Sequence, residues 1–212
     1  TKVIPARILG IDPLMGKFEI LLCEMMRQDT HKSSWTAIGK PMKKLRGGAC
    51  IQTVDGTRIQ VSVDGGQSPD SPPLRVEMPF DFEGTLDWLN KNAVMPLPPY
   101  IKRLEPTKAL LSEDRERYQT VYAQSHGSVA APTAGLHFDE ELLEEMQRAN
   151  IKMVNVTLHV GLGTFLPIKA QSLADHKMHS ERFYVPKQTV IEMEKAKRDG
   201  REIICVGTTS FR

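Results

Sequence analysis

Cysteine is scarce, with three in 212 residues: Cys23, Cys50 and Cys205. They are odd in number, far apart and set in apolar, strand-like runs. That spacing excludes a disulfide framework or a zinc ligand set and predicts buried thiols in a reducing compartment, the cytoplasm. Long apolar runs are missing too; nothing approaches the roughly 20 residues of a membrane helix. The opening, Thr1-Lys2-Val3-Ile4-Pro5, carries neither a signal-like apolar core nor an Arg/Ser-rich transit pattern. An excess of charge of one sign is nearly absent: a net +2 and a pI of 8.4 permit an anionic partner without arguing for one. A dinucleotide fingerprint is also lacking, because Gly161-Leu162-Gly163-Thr164 has neither the third glycine nor the helix opening. What remains is a globular composition, 40% hydrophobic and 25% charged, long enough for one large or two modest domains. Thr1 opens directly into a strand-like run and Arg212 follows closely on another, so an internal segment of a longer protein is expected.

Residues 1–81 read as all β. The runs Val3–Ile11, Lys17–Met26, Ser33–Ile38, Ala49–Val54, Arg58–Val63 and Leu74–Met78 are short and apolar or alternating. Asp55-Gly56 and Asp64-Gly65-Gly66 supply the positive φ that tight hairpins need. Six such runs with little helix between them predict a small antiparallel barrel or sandwich. From Phe82 the pattern changes. Helices are predicted over Gly84–Asn92, over Ser112–Ala123 with Ser112 as N-cap, and from an Asp139 cap through Gln147, with Leu142, Leu143 and Met146 buried. A strand over Ile151–Val160 follows, then a helix over Thr189–Arg198 closed by Gly200, then a strand over Glu202–Val206. Helix–strand repetition predicts a largely parallel α/β domain over 82–212, its ligand beyond the carboxyl ends of the strands. Gly161–Thr164 and Gly207–Ser210 fall there.

Five of the six histidines, His126, His137, His159, His176 and His179, lie between Arg117 and Glu181 among dense Gly, Thr, Pro and Tyr. A core has no use for imidazoles and hydroxyls wherever an element starts or stops. Thr157 and His159 alternate against Val156, Leu158 and Val160. His159 is thus either a satisfied histidine under a helix or a general acid/base at the strand mouth. Gly161 and Gly163 let backbone N–H groups approach a ligand, or simply make a turn. The small residues Ala130–Gly135 admit a flat ligand or a close crossing, and His137 stands just outside a helix N-terminus, where the dipole disfavours imidazolium. His176 and His179, three apart, raise a metal site without an obvious third ligand. Glu181 is a base, a ligand for an ammonium or hydroxyl, or an exposed carboxylate. Tyr118 and Tyr122, four apart on the predicted helix, form a core stripe or a stacking surface for a base. Lys40, Lys43, Lys44 and Arg46 make the densest basic patch, a solvated loop or a binding face for phosphates.

Taken in order, Leu97-Pro98-Pro99-Tyr100-Ile101, Tyr118-Gln119-Thr120-Val121-Tyr122-Ala123, Ala130–Phe138, Thr157–Phe165, His176–Glu181 and Val206–Arg212 closely resemble the S-adenosylmethionine:tRNA ribosyltransferase-isomerase family of queuosine biosynthesis. The resemblance implies a β-barrel joined to an α/β/α layered domain, incomplete in this chain. It implies transfer and isomerisation of the ribosyl part of S-adenosylmethionine onto 7-aminomethyl-7-deazaguanine at the tRNA wobble position. Epoxyqueuosine-tRNA, adenine and methionine are the products, and S-adenosylmethionine is a substrate, so neither cofactor nor metal is expected. With that chemistry, His159 or His137 serves proton transfer, Glu181 and His179 meet ribose or amine, and Tyr118 lies against a base. Gln119, Thr133, Gly135, Thr157, Gly161, Gly163, Thr164, His176, Thr208, Thr209, Ser210 and Arg212 complete the substrate-binding set. A monomer without membrane contact is expected, and residues 1–212 alone are expected to be poorly active. Two readings from other classes compete: a non-catalytic RNA-binding module on the barrel, and a metal-dependent hydrolase using the histidines.

Overall fold

The computed structural model describes residues 1–12, 16–64, 72–103, 107–161, 172 and 181–211. Compact packing divides the chain into Ile4–Arg115, and Thr1–Val3 together with Glu116–Arg212. The boundary expected after residue 81 marks the end of the barrel strands. The helix and extended segment that follow pack with those strands. Pro5 accounts for the short first piece. It has no N–H to donate and fixes its φ, so the single strand expected over Val3–Ile11 breaks into β1 (Lys2–Val3) and β2 (Arg7–Asp12).

In the Ile4–Arg115 unit, β2 is followed by β3 (Gly16–Gln28), β4 (Ser33–Lys40), a short α1 (Met42–Leu45), β5 (Ala49–Gln52), β6 (Arg58–Val63) and β7 (Leu74–Met78). The six strands form one antiparallel, barrel-like sheet in the order β2-β3-β4-β7-β6-β5. Alternation along β4 buries Ser33, Trp35, Ala37 and Gly39 and half-exposes the residues between them, as a strand with one wet face requires. Gly56 takes φ +85 in the β5–β6 hairpin, as Asp55-Gly56 predicts. Against this sheet packs α2 (Phe82–Asn92), whose N-cap Asp81 accepts from Gly84 N at 2.8 Å. Phe82 stacks on Trp35 with ring centroids 6.0 Å apart, and Ser33 Oγ meets Thr85 Oγ1 at 2.8 Å while accepting from Trp35 Nε1 at 2.9 Å. These buried hydroxyls have partners, so their burial costs little.

Trp88 of α2 donates through Nε1 to Asp55 Oδ2 at 2.7 Å, tying the helix to the β5–β6 hairpin. Burial pushes the Asp55 carboxyl up, but hydrogen bonds from Thr53, Trp88 and Thr57 outweigh it and hold the group below its usual value of 3.8. A depressed folded pKa contributes stability that is complete above the unfolded value and lost as pH falls through the folded one. An acid titration followed by Trp88 fluorescence should therefore show a transition below pH 3.8 that Asp55→Asn removes. An unchanged profile in that variant would refute the assignment.

The cysteines divide differently from expectation. Cys23 is buried in β3, but Cys50 and Cys205 are exposed. Cys50 falls on the outward phase of β5, and Cys205 lies in a segment that forms no strand. Burial, against a hydrogen bond at Ile38, pushes the Cys23 thiol up to about 12. A thiol reagent at mildly alkaline pH should modify two cysteines in the folded chain and the third only in denaturant; three fast reactions would contradict the burial of Cys23.

The other unit mixes short strands and helices. After α3 (Lys108–Arg117) come β8 (His126–Ser128), a 3-10 turn (Thr133–His137), α4 (Glu140–Arg148), β9 (Thr157–Leu158), β10 (Phe183–Tyr184), α5 (Lys187–Arg198) and α6 (Thr208–Phe211). β1 pairs parallel with β8, and β9 pairs antiparallel with β10. Helix α3 starts earlier than expected because Thr107, not Ser112, is its cap, with Oγ1 accepting from Leu110 N at 3.2 Å. It ends at Arg117, so Tyr118 and Tyr122 share no helix face. Asp139 caps α4 as expected, accepting from Leu142 N at 2.8 Å, and Gly200 takes φ +67 just past α5. Leu142, Leu143 and Met146 are only half-buried. The strand expected over Ile151–Val160 contracts to Thr157–Leu158, and Glu202–Val206 has no ladder partner among the described residues. No helix among the described residues is long and apolar enough to cross a membrane.

Candidate active site

The densest anchoring in this unit surrounds residues 158–161. Thr1 donates its hydroxyl to Leu158 O. His159 N donates to Arg182 O at 2.9 Å. Val160 O accepts from Val129 N and from Ser128 Oγ, each at 3.2 Å. Gly161 N donates to Glu181 Oε1 at 3.1 Å. Four consecutive residues are thus held from three different segments: Thr1, Ser128–Val129 and Glu181-Arg182. Beneath them lies a buried run, Ser128-Val129-Ala130-Ala131, in which Ser128 Oγ also reaches Ala130 O at 2.8 Å.

The half-buried His159 ring rests on Gly127: a Cβ built there would stand 3.2 Å from Nδ1 and 3.4 Å from Cε1. Glu181, twenty-two residues on from His159, comes to the same corner because β10 returns antiparallel beside β9. Its carboxylate is held by the Gly161 amide. Among the described residues, none beyond the chain neighbours lies within 4 Å of where a Gly161 Cβ would be. This corner therefore offers an imidazole, an oriented carboxylate and a glycine amide. Together they can move a proton and receive a hydroxyl or ammonium.

Other expected site residues fall elsewhere. Tyr118 is buried. Gln119 holds β1, its Oε1 accepting from Val3 N at 2.9 Å and its Nε2 donating to Val3 O at 2.6 Å. Thr157 is half-buried in β9. Thr133 and His137 are placed at the two ends of the 3-10 turn, both exposed, with Phe138 half-buried and Asp139–Glu141 exposed beyond them. Gly135, in that turn, is covered by the protein itself, since a Cβ there would meet Tyr122 Oη at 2.2 Å and Thr120 Cγ2 at 2.8 Å. That approach is the close crossing the small residues permit. Burial raises the Tyr122 phenol, whose ring meets Phe138 edge-on at 6.5 Å, while Thr120 Oγ1 is buried with no hydrogen-bond partner among the described residues. Thr208, Thr209 and Ser210 begin α6 rather than lying in a loop, and the preceding Gly207, at φ +85, passes the turn close to Ala134. Gly163, Thr164, His176, His179 and Arg212 lie outside the described residues. Among the described residues no three His, Cys, Asp or Glu side chains group to hold a metal ion.

The family described as "Queuosine biosynthesis protein" matches residues 1–212. The chain belongs to this family. Among curated relatives, the S-adenosylmethionine:tRNA ribosyltransferase-isomerase of Treponema denticola is 42% identical over 215 residues, covering 100% of this chain and 58% of the relative. Those of Geobacter sulfurreducens, 42% identical over 212 residues, and Clostridioides difficile, 43% over 215, cover the same shares. The chain thus spans 58% of the length of these relatives. No solved structure matches it. Two residues not expected from the sequence, Gly127 and Ser128, take part in holding the corner of this family member. Their signal was a glycine inside a short His-Gly-Ser strand ahead of an apolar run.

Proposed function

We propose that this chain carries the reaction corner of an S-adenosylmethionine:tRNA ribosyltransferase-isomerase. The observation that supports the reading is its identity to relatives of that name along 100% of its length. The sulfonium of S-adenosylmethionine acidifies the ribose C5′ protons. A base removes one, the resulting ylide opens the ribose ring and expels adenine, and the amine of 7-aminomethyl-7-deazaguanine adds to the opened sugar. Epoxide closure then expels methionine. His159 is the group suited to proton transfer, and Glu181, fixed on the Gly161 amide, receives a ribose hydroxyl or the substrate ammonium. S-adenosylmethionine is consumed as substrate, and no further cofactor enters the scheme. The protein acts in the cytoplasm, as a monomer.

Joining residues 1–212 to the flanking portions of the Geobacter sulfurreducens relative gives a chain of full family length for assay. It should release adenine only when S-adenosylmethionine and the substrate tRNA are both present. A folded chimera that releases none, beside an active intact relative, would overturn the reading and favour an RNA-binding module.

The tRNA phosphates meet the barrel unit at α1. Leu45 is fully buried and pins the turn, while Lys40, Lys43, Lys44 and Arg46 surround it on the outside of the unit. Replacing the four by glutamine should weaken tRNA binding and flatten the dependence of log affinity on log salt by roughly 0.7–0.9 for each phosphate no longer neutralised. An unaltered slope would remove this patch from the interface.

A further inference from the structure

β1 contributes two residues to its ladder with β8 and β8 contributes three. Lys2 pairs with His126 and Val3 with Ser128, and the register shifts between Lys2 and Val3. Gly127 is the extra residue, a bulge, with φ +119. A backbone there is strained for any residue bearing a Cβ. The bulge lies under the His159 ring: the Nδ1–Cε1 edge faces it, and Nε2 lies more than 4 Å from the position a Cβ would take. A Cβ at 127 would press on the imidazole edge, which would have to give by a few tenths of an ångström. The next residue, Ser128, reaches Val160 O and sets the strand carrying His159 beside β8.

We propose that Gly127 is a positioning residue whose bulge forms the notch that orients the His159 imidazole, leaving Nε2 as the nitrogen presented for proton transfer. The proposal deepens the functional reading above and rests on it for its catalytic consequence, though the notch itself does not. Anchors on residues 158–161 fix the backbone of His159 but leave its ring free to choose a rotamer. The notch gives the ring room for the rotamer observed, with its Nδ1–Cε1 edge toward Gly127. Bulges commonly re-aim a side chain beside an active site, and here the side chain concerned is the one that lies against the missing Cβ.

The test combines ring spectroscopy on the 212-residue chain with turnover by the full-length chimera. With histidine labelled in nitrogen-15, a nuclear Overhauser signal between Gly127 Hα and His159 Hε1 is expected in the unmodified chain, which settles the matter even where a variant fails to fold. Gly127→Ala should move both His159 ring nitrogen resonances. In the chimera the same change should lower kcat for adenine release by about 10²-fold with the KM for S-adenosylmethionine little altered, as a misplaced reacting group does. Added to His159→Ala, it should cost nothing further. Absence of the Overhauser signal, unmoved ring resonances, or an equal loss in the His159→Ala background would each overturn the proposal. Normal turnover by His159→Ala, with the ring resonances still moved by Gly127→Ala, would sink the reading of His159 as the acid/base group while upholding the notch.

Discussion

Replacing His159 with alanine should reduce adenine release by about 10²–10⁴-fold, the range a positioned acid/base group supplies. On the proposed role the loss should appear in kcat, because a proton moved in the chemical step is not moved on binding. Two candidates were open from the residues alone, and the structure distinguishes their surroundings. His137 is exposed and closes a 3-10 turn ahead of the α4 cap, where its neighbour Phe138 is tied within the turn, N donating to Gly135 O at 3.2 Å. His159 is half-buried, its neighbours are tied on both sides, its ring lies on a glycine, and Glu181 is held one residue beyond Val160. Pre-organisation of this kind separates a group that catalyses from one that is merely near. His137→Ala should accordingly cost much less. Measured kcat for the two variants in the full-length chimera decides between them, and near-normal turnover by His159→Ala would remove that residue from the chemical step.

Gly135→Ala should destabilise the Glu116–Arg212 unit by about 1–3 kcal/mol, the usual cost of forcing atoms into a filled space. Alanine restricts the unfolded chain more than glycine and gains roughly 0.4–1 kcal/mol from that, but the steric cost is larger. The new methyl would stand 2.2 Å from Tyr122 Oη and 2.8 Å from Thr120 Cγ2, so two side chains must yield. Thr120 is buried, and the Tyr122 ring cannot retreat without giving up its edge-on packing with Phe138. Removing the hydroxyl with Tyr122→Phe leaves Cζ at 3.2 Å, an approach that a slight tilt relieves, so the double variant should recover part of the loss. Thermal midpoints are the measurement, at roughly 2–4 °C per kcal/mol for a chain of this size. A Gly135→Ala protein as stable as its parent would mean that nothing presses on Gly135.

The barrel strands were readable because period-2 alternation reports one buried and one wet face, and β6 and β7 have the bounds their residues predict. The helix ends were readable where a side chain does the capping, as at Asp139. The start of α3 was not, since Thr107 offers the same hydroxyl as Ser112 one turn earlier and local pattern does not rank the two. Residues 151–156 and 202–206 have strand-like composition, yet a strand exists only with a partner to accept its hydrogen bonds. Apart from Thr157–Leu158, these runs find no ladder partner among the described residues.

Residue types alone determined that His159 would stand at a strand mouth before a glycine, that Glu181 would lie nearby in sequence beyond a polar stretch, and that small residues would line the turn before α4. Those are local consequences of alternation, glycine freedom and capping. Only the tertiary structure decided which groups meet. It brought Glu181 to the Gly161 amide, filled the space over Gly135 with Tyr122, and set the His159 ring on the Gly127 bulge. The physical reason is that such meetings depend on strand register between segments far apart in the chain. A shift of one residue in β8 against β1 would carry the notch away from the imidazole, and no local pattern encodes that register.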